Sequence, residues 1–360
     1  MINLDKHQMN AIKCMEDTFK HHNRCLLKMF CGTGKTRIMF HFVLETHNKI
    51  ILVFPSLLLI DQFNLDYTLG KDWINRTKKY GKMNVCSKDE SANEKKHNVK
   101  TTTDHKTVKT FLTKNNKYIL CVTYQSLNVI NDVMTELKHC CDIIVCDEAH
   151  HLVGDKAQEY IFGIKCVDDE NDEDEDDIDI NDKNYDSLSD CAKYMLFLTA
   201  TPKNKNGIKM FDSNDQNAET HCGPCAFDYS HMDAVLDNVC RNIRIEIDLF
   251  TDNTDENLFK SIGRSIGNSG NDRVLTFHSY SEKSHENKSD VVSFIKKKVD
   301  IVNDIQKTLN EEFKNHGYTQ ITVDGITGKD SMTKRKNILK KFNTPSEHTI
   351  HILASCRTIG

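Results

Sequence analysis

Short apolar runs alternate with helical patterns along most of the chain. Apolar residues recur at helical spacing over residues 4–19,. Apolar runs typical of buried strands cover residues 25–30, 50–54, 118–123, 143–146 and 194–198. Further helices are predicted at 35–44 and directly after Ser56. Strands that are apolar throughout and separated by helices indicate a parallel sheet with helices on both faces.

The same alternation begins again in the last third of the chain. Strands are predicted at 273–277, 319–323 and 349–354, with a long amphipathic helix at 290–315 between the first two. We therefore predict an α/β fold with two tandem domains, over residues 1–240 and 271–360. Residues 241–270 are the predicted connector between them.

Composition favours a soluble chain in an intracellular compartment. Apolar residues make up 38 % and charged residues 28 % of the 360 positions. The N-terminus MINLDKHQMN has no secretory pattern, and the longest apolar run, IILVFPSLLLI, is too short to span a bilayer,. We expect no membrane partner, and a place in the cytoplasm, the nucleoid or a viral replication site. Abundant Asn, Lys and Asp with only four prolines suggest an A·T-rich genome, such as that of a large DNA virus.

One acidic segment dominates the net charge. Residues 168–182, DDENDEDEDDIDIND, hold 11 acids and no base, and without them the formal charge changes from −5 to +6. Because the segment has too little apolar surface to form a core, we predict a disordered insertion over about 167–190. A regulatory mimic of nucleic acid is the alternative. The basic remainder is compatible with a phosphate-backbone partner.

The 14 cysteines are scattered, and several lie inside apolar strands, where a free thiol acts as a small hydrophobe,. Only Cys222 and Cys225, in HCGPC, have the spacing of a metal site. A single C-x-x-C favours an ordinary reduced loop, with zinc as the alternative.

The segment KMFCGTGKTR, residues 28–37, carries the sharpest chemical signal. Gly32, Thr33 and Gly34 follow a strand and Lys35 opens a helix, which is the context that a phosphate-binding loop requires,. Lys35 would reach the β- and γ-phosphates of ATP, and the Thr36 hydroxyl would hold Mg²⁺. Met29 replaces the first glycine of the usual pattern.

A second signal is IIVCDEAHH, residues 143–151, in which two carboxylates end an apolar strand. Asp147 is predicted to bind Mg²⁺, and Glu148 to polarise the water that attacks the γ-phosphate. We expect this strand to neighbour the strand of the phosphate loop.

Three motifs in order, GTGKT, DEAH and LTATP, resemble those of superfamily 2 DEAD/DEAH-box helicases. LDKHQMNAI, ILVFPSLLLIDQF, VTYQSL and VLTFHSYSEKS are similar to further motifs of that superfamily, and VDGITGKDSMTKRKNILKKF to the strand and helix after them. Residues 211–239 resemble the connector of its type III restriction-like, helicase-associated-domain group. The resemblance implies two recombinase-like (P-loop) domains with ATP between them.

The resemblance also implies roles for individual residues. Gln8 would lie near the adenine and Arg37 at the nucleotide, while His150 would link the nucleotide site to Thr199, Ala200 and Thr201. Nucleic-acid contacts are expected from Pro55, Ser56, Thr123, Tyr124, Ser126, Phe277, Asp324 and Gly325. Capping and turn formation are the alternative roles for the polar members of this set.

The final residues, HILASCRTIG, resemble the first half of motif V. Since relatives continue through motif VI and its arginine finger, we expect an incomplete second domain in the N-terminal part of a longer protein, which binds ATP but hydrolyses it slowly. Three hypotheses stay open: an ATP-dependent DNA helicase or translocase, a duplex-translocating motor of a restriction or remodelling complex, and a non-catalytic fragment that binds ATP and nucleic acid. The restriction-like connector favours DNA over RNA.

Overall fold

The computed structural model describes residues 4–68, 70–87, 99–153, 155–163, 187–202, 204–205, 208–209, 222–241, 272–278, 320–327, 330–344 and 349–356. The chain divides into two units, Met1–Asn242 and Ile243–Gly360. Most of the predicted insertion over about 167–190, most of the predicted connector and the predicted helix at 290–315 lie outside the described residues. Residues 187–190 are described, and the short helix Leu188–Cys191, with Leu188 buried, corrects the prediction of disorder at that end.

Strands and helices alternate through the first unit. Its described strands are β1 (Arg24–Met29), β2 (Lys49–Phe54), β3 (Gly81–Val85), β4 (Lys100–Thr102), β5 (Tyr118–Thr123), β6 (Cys141–Cys146), β7 (Ala192–Thr199), β8 (Asn204–Lys205), β9 (Ile208–Lys209) and β10 (Cys225–Tyr229). Its described helices are α1 (Lys6–Thr18), α2 (Lys35–Thr46), α3 (Leu57–Phe63), α4 (Ile74–Thr77), α5 (His105–Lys114), α6 (Leu127–Leu137), α7 (Asp155–Phe162), α8 (Leu188–Cys191) and α9 (His231–Leu236).

Eight of these strands form one parallel sheet, in the order β10–β1–β7–β6–β2–β5–β3–β4. Successive residues of β2 alternate between two apolar clusters: Ile50 and Leu52 belong to one, and Ile51 and Val53 to the other. Since each face of the sheet has its own buried core, the central strands are largely apolar. The predicted α/β parallel-sheet fold is confirmed.

The sheet order corrects one expectation. β1, which leads into the phosphate loop, and β6, which ends in the paired carboxylates, are not neighbours, because β7 pairs with both of them. The predicted strands in this unit are otherwise confirmed, each within two residues of its predicted ends. β3, β4 and β10 were not predicted, and they occupy the margins of the sheet.

The described part of the second unit contains β11 (Arg273–His278), β12 (Gln320–Thr327), α10 (Met332–Asn343) and β13 (Thr349–Cys356). β13 lies between β11 and β12, and both pairings are parallel. The three strands predicted here are confirmed. Crossovers between parallel strands require intervening chain, as in the first unit.

Candidate nucleotide site

The phosphate loop follows β1 directly and leads into α2. Gly32 and Gly34 have φ of 80° and 87°, in the left-handed region that favours glycine,. Gly34 is the N-cap of α2, so unpaired N–H groups at the helix start face the loop,. Lys35 is 8 % exposed, and its Nζ donates to the carbonyl oxygen of Met29 at 3.1 Å. The loop thus combines a curved backbone with a largely buried ammonium group.

Two side chains from the first turn of α1 contact the backbone of the loop. His7 Nε2 lies 3.0 Å from the carbonyl oxygen of Thr33, and Gln8 Nε2 donates to the same oxygen at 3.4 Å. Gln8 Oε1 accepts from the backbone N–H of Asp5. Both polar ends of the Gln8 amide therefore have partners within the protein, and its predicted contact with adenine stays a prediction.

The last residue of β10, which also bonds to the segment that follows it, lies against His7 at the start of α1. The rings of His7 and Tyr229 stack at 4.9 Å between centroids, with an interplanar angle of 7°. The Tyr229 hydroxyl donates to Asp237 Oδ2 at 2.8 Å. No role in the site was predicted for His7, Tyr229 or Asp237. Nothing in the sequence indicates that His7 would meet Tyr229, which lies more than 200 positions away.

A pocket of about 670 Å³ opens between the loop, α1 and the turn after α9. Its lining includes the predicted residues Gln8, Gly32, Thr33, Gly34 and Arg37. Tyr67 and Asn238 line it as well, although neither was predicted. The pocket has the volume that a small-molecule ligand requires.

The paired carboxylates lie at the end of β6. Asp147 is 8 % exposed, and its backbone N–H donates to the carbonyl oxygen of Val53 on β2. Glu148 adopts φ of 48° and donates its N–H to Asp147 Oδ1 at 3.0 Å. Burial, and then the charge of Glu148, raise the pKa of Asp147 to about 6, while the Glu148 N–H and Lys35 oppose the shift. Lys35 and Asp147 thus interact electrostatically across the sheet edge, although β7 separates their strands.

A short chain of polar contacts joins these carboxylates to β7. His150 Nδ1 lies 3.3 Å from both Glu148 Oε2 and the hydroxyl of Thr199. The Thr199 hydroxyl also accepts from the backbone N–H of Thr201 at 3.1 Å. Thr199 is fully buried, and Ala200 lies between these partners without a polar side chain. The residues predicted to couple the two motifs therefore lie together, and their coupling function stays a prediction.

The residues present fit a magnesium ion together with a phosphate ligand. Two adjacent carboxylates lie near the loop, and Thr36 stands in the first turn of α2. In the described ranges no group of three or more His, Cys, Asp or Glu side chains could hold a metal ion by itself. Mg²⁺ usually takes only one or two protein carboxylates and completes its coordination with water and substrate phosphates.

The residues predicted to contact nucleic acid in the first unit have partners inside the protein. The Ser56 hydroxyl caps α3 by accepting from Leu59 N–H, and Pro55 precedes it. The hydroxyls of Thr123 and Ser126 bond to each other at 3.2 Å, and both residues are buried. The Tyr124 hydroxyl donates to the carbonyl oxygen of Asp147 at 2.9 Å. Their capping and turn roles are observed, and their contacts with nucleic acid stay predictions.

In the second unit, Phe277 lies on β11 and Gly325 on β12, paired with Ala354. Asp324 forms an ion pair with Lys341, whose Nζ lies 2.9 Å from Asp324 Oδ2. This pairing reduces the negative charge that Asp324 would present to a phosphate backbone. The proposed role of all three residues is not tested by these contacts.

Cys222 and Cys225 belong to a structural turn. Gly223 has φ of 79°, and a Cβ there would lie 2.5 Å from the Arg24 carbonyl oxygen, so the turn packs tightly on β1. Burial raises the pKa of Cys222 to about 12 and also raises the pKa of Cys225. The tight packing of this turn on β1 supports the ordinary-loop interpretation, and zinc stays the alternative.

A family model described as "Type III restriction enzyme, res subunit" matches residues 1–204, more than half of the chain. The chain belongs to this family. The res-subunit match contains the phosphate loop, both carboxylates, and His150 with Thr199. The turn after α9 lies beyond the matched residues. No curated protein matches the chain.

Two solved structures resemble this res-subunit chain. The first is described as "ATP-dependent Type ISP restriction-modification enzyme LlaBIII bound to DNA", with a TM-score of 0.65 and 16 % identity over 99 % of this chain. The second is a nuclease-deletion mutant of the Type ISP enzyme LlaGI in complex with a DNA substrate mimic, with a TM-score of 0.48 and 19 % identity over 74 % of this chain. The chain spans about a quarter of the length of these structures, 24 % and 22 %. The first likeness supports the fold.

In the part of the chain that the structure describes, no helix combines the length and apolar character needed to cross a bilayer.

Proposed function

We propose that this chain is the ATP-hydrolysing motor part of a DNA translocase, of the DEAH-box class in superfamily 2, that works within a restriction enzyme or a related complex. The observation that carries the proposal is that the phosphate loop with Lys35 and the carboxylates of Asp147 and Glu148 follow two parallel strands that both pair with β7, in a res-subunit chain. The first similar structure is itself described as ATP-dependent and bound to DNA, which supports the choice of ligands.

The phosphate loop would bind the nucleotide through its backbone and one cation. N–H groups around Gly32 and Gly34 would donate to phosphate oxygens, and Lys35 would exchange its bond with the Met29 carbonyl for one with phosphate,. Thr36 and Asp147 would hold Mg²⁺, which when bound neutralises charge on the phosphates. Gln8, Arg37 and Tyr67 line the pocket beside the loop and are the side chains proposed to contact the rest of the nucleotide.

Glu148 is the proposed base for the attacking water. Its carboxylate lies next to Asp147 and 3.3 Å from His150, so it is oriented from two sides. A carboxylate in this place accepts a hydrogen bond from water and aligns it for attack on the γ-phosphate. His150 and Thr199 would then transmit changes at Glu148 to β7 and the loop after it.

DNA is the proposed track, and movement along duplex is the proposed use of the ATP. The family description names a restriction enzyme and the first similar structure is described as bound to DNA, and both favour DNA over RNA. Translocation in place of strand separation is part of the proposal. A viral source and further complex partners stay predictions from composition and resemblance.

The direct test replaces Glu148 by Gln, which keeps the shape of the side chain and removes the base. Glu148→Gln is expected to bind ATP as tightly as the unchanged protein, while ATP hydrolysis in the presence of duplex DNA falls by about 10²-fold or more. The measurement is the rate of phosphate release at saturating ATP, with and without DNA. The rate of Glu148→Gln is compared with the rate of the unchanged protein.

Glu159→Gln on α7 is the matched control, because this glutamate lies outside the site. Equal DNA-stimulated rates for Glu148→Gln and the unchanged protein would contradict the proposal. A greater stimulation by RNA than by duplex DNA would overturn the choice of track.

A further inference from the structure

Two cysteines meet at the phosphate loop. The backbone N–H of Phe30 donates to the Tyr229 carbonyl oxygen at 2.9 Å, and the rings of Phe30 and His231 lie 4.6 Å apart. After α9 the chain turns back, and Cys240 N–H donates to the carbonyl oxygen of Ala234. This turn carries the Cys240 thiol back to the loop.

Cys240 Sγ lies 3.9 Å from the carbonyl oxygen of Cys31, although 209 positions separate the two residues. A carbonyl oxygen is about 2.4 Å from its own Cα, and a cysteine Sγ is about 2.8 Å from its own Cα, so the Cα atoms of Cys31 and Cys240 are at most about 9 Å apart. Disulfides join residues whose Cα atoms are about 4.4–6.8 Å apart. A disulfide between these residues therefore requires the loop to move towards Cys240 while the two side chains rotate.

The two thiols also have the exposure that oxidation requires. Cys31 is exposed and Cys240 is half-buried, and both are free thiols. By contrast, burial raises the pKa of Cys25, Cys121, Cys141 and Cys146. Those cysteines are therefore shielded from oxidants in solution and stay protonated.

We propose that Cys31 and Cys240, the loop thiol pair, form a reversible disulfide under peroxide and that this disulfide switches off nucleotide binding. The effect on the nucleotide rests on the proposed function of the loop, whereas the formation of the disulfide does not. Intracellular disulfides of this kind are usually transient and serve as redox sensors.

Hydrogen peroxide is the oxidant in the proposed reaction. The thiolate of Cys31 attacks one peroxide oxygen, the O–O bond breaks, and a sulfenic acid and hydroxide form, the hydroxide taking the proton that the thiol had lost. The Cys240 sulfur then attacks the Cys31 sulfur, the S–O bond breaks, and the leaving hydroxide departs as water with the Cys240 proton. Two thiols lose two electrons in total, and one peroxide becomes two waters.

The disulfide acts on the loop because Cys31 immediately precedes Gly32. Gly32 and Gly34 hold φ of 80° and 87°, which sets the direction of the loop N–H groups. A bond that draws Cys31 towards Cys240 shifts this backbone and turns those donors away from a phosphate. We expect nucleotide affinity to fall by at least about tenfold.

The test uses the full chain, hydrogen peroxide and a fluorescent ATP analogue. After oxidation and blocking of free thiols, mass spectrometry of an unreduced digest should find the Cys31 peptide joined to the Cys240 peptide. Affinity for the analogue should fall after peroxide and return after dithiothreitol. Cys240→Ser should bind like the reduced protein and keep its affinity in peroxide.

Cys140→Ser is the matched control, because Cys140 is an exposed thiol that precedes β6 at the opposite edge of the sheet. It should remain as sensitive to peroxide as the unchanged protein. Absence of the joined peptide, or equal sensitivity of Cys240→Ser, would overturn the proposal. If the reduced protein bound no nucleotide, the proposed function would fail, while the joined peptide would still decide whether the thiol pair reacts.

Discussion

Among single residues, Gly34 is the position where the phosphate loop packs closely against Gln8. A Cβ on Gly34 would lie 2.4 Å from Gln8 Nε2, so any larger residue displaces the Gln8 amide from Thr33 and Asp5. Gly32 has a similar φ, yet a Cβ there meets nothing within 4 Å. The two glycines thus share backbone strain and differ only in this one contact.

Gly34→Ala is therefore expected to destabilise the first unit more than Gly32→Ala does. Left-handed backbone costs an alanine about 1–2 kcal/mol at either site, and the displaced Gln8 adds about 1 kcal/mol at Gly34. Trp73 is the only tryptophan and is buried in the first unit, so its fluorescence during urea unfolding measures the change.

The control is the same pair of changes in a Gln8→Ala background. There the two variants should cost equal amounts, because only Gly34 is coupled to Gln8. A coupling of Gln8 to Gly32 as large as that to Gly34 would contradict this account of the loop.

The placement of residues was predictable where the signal was local, and the roles of those residues stay predictions. Lys35, Asp147 and Glu148 lie in short motifs that directly follow strands, and strand ends in parallel sheets collect at one edge. The stack of His7 on Tyr229 could not be predicted, because the sequence does not show that these two segments, more than 200 positions apart, meet in the fold. For the same reason, the approach of Cys240 to Cys31 is visible only once β10 is paired with β1.

At the scale of elements, the end of α2 contains a histidine that resists protonation. Burial lowers the pKa of His47 to about 4, with a smaller contribution from Lys193, while Asp142 opposes the shift. The Thr46 hydroxyl contacts the His47 ring, and the His47 carbonyl oxygen accepts a hydrogen bond from the Tyr80 hydroxyl. The neutral imidazole is thus part of the packing below the sheet.

This histidine should make the first unit less stable in acid. Since the folded pKa lies below the ordinary value, the unfolded chain binds a proton more readily as pH falls from about 6.5 towards 4. Stability contributed by neutral His47 is complete above that range and is lost through it. Partial contact with solvent limits the loss to about 1–2 kcal/mol.

Urea unfolding followed by Trp73 fluorescence at pH 7.5 and pH 4.5 tests this expectation. The free energy of unfolding of the unchanged protein, relative to His47→Gln, should fall by about 1–2 kcal/mol between these pH values. An unchanged difference at the two pH values would show that His47 does not titrate as its burial implies.

Strand prediction failed at the margins of the sheet for a physical reason. β4, at one edge, is only Lys100–Thr102, while β10, at the other edge, and β3, next to β4, mix polar and apolar residues. Strands at or next to an edge are less covered than central ones. Central strands such as β2 and β5 are buried on both faces and are largely apolar. Their position was predictable from composition, whereas the order of the strands depends on contacts between distant segments.

At the scale of the whole molecule, the insertion of β7 between β1 and β6 explains how the site is connected. β7 pairs with both strands, and its last residue, Thr199, receives His150 from the carboxylate motif. The end of β7 thus lies between the strand that leads to the phosphate loop and the strand that ends in the carboxylates. The first unit contains all of these residues, and they fall within the res-subunit match.

Calorimetric titration of ATP into the full chain measures whether this edge of the sheet binds ATP with Mg²⁺. We predict binding that requires Mg²⁺, and a loss of affinity of at least about tenfold in Lys35→Ala. Lys28→Ala is the control, because Lys28 lies on β1 and pairs with Asp228 outside the pocket. Equal affinity of Lys35→Ala and the unchanged protein would contradict the account.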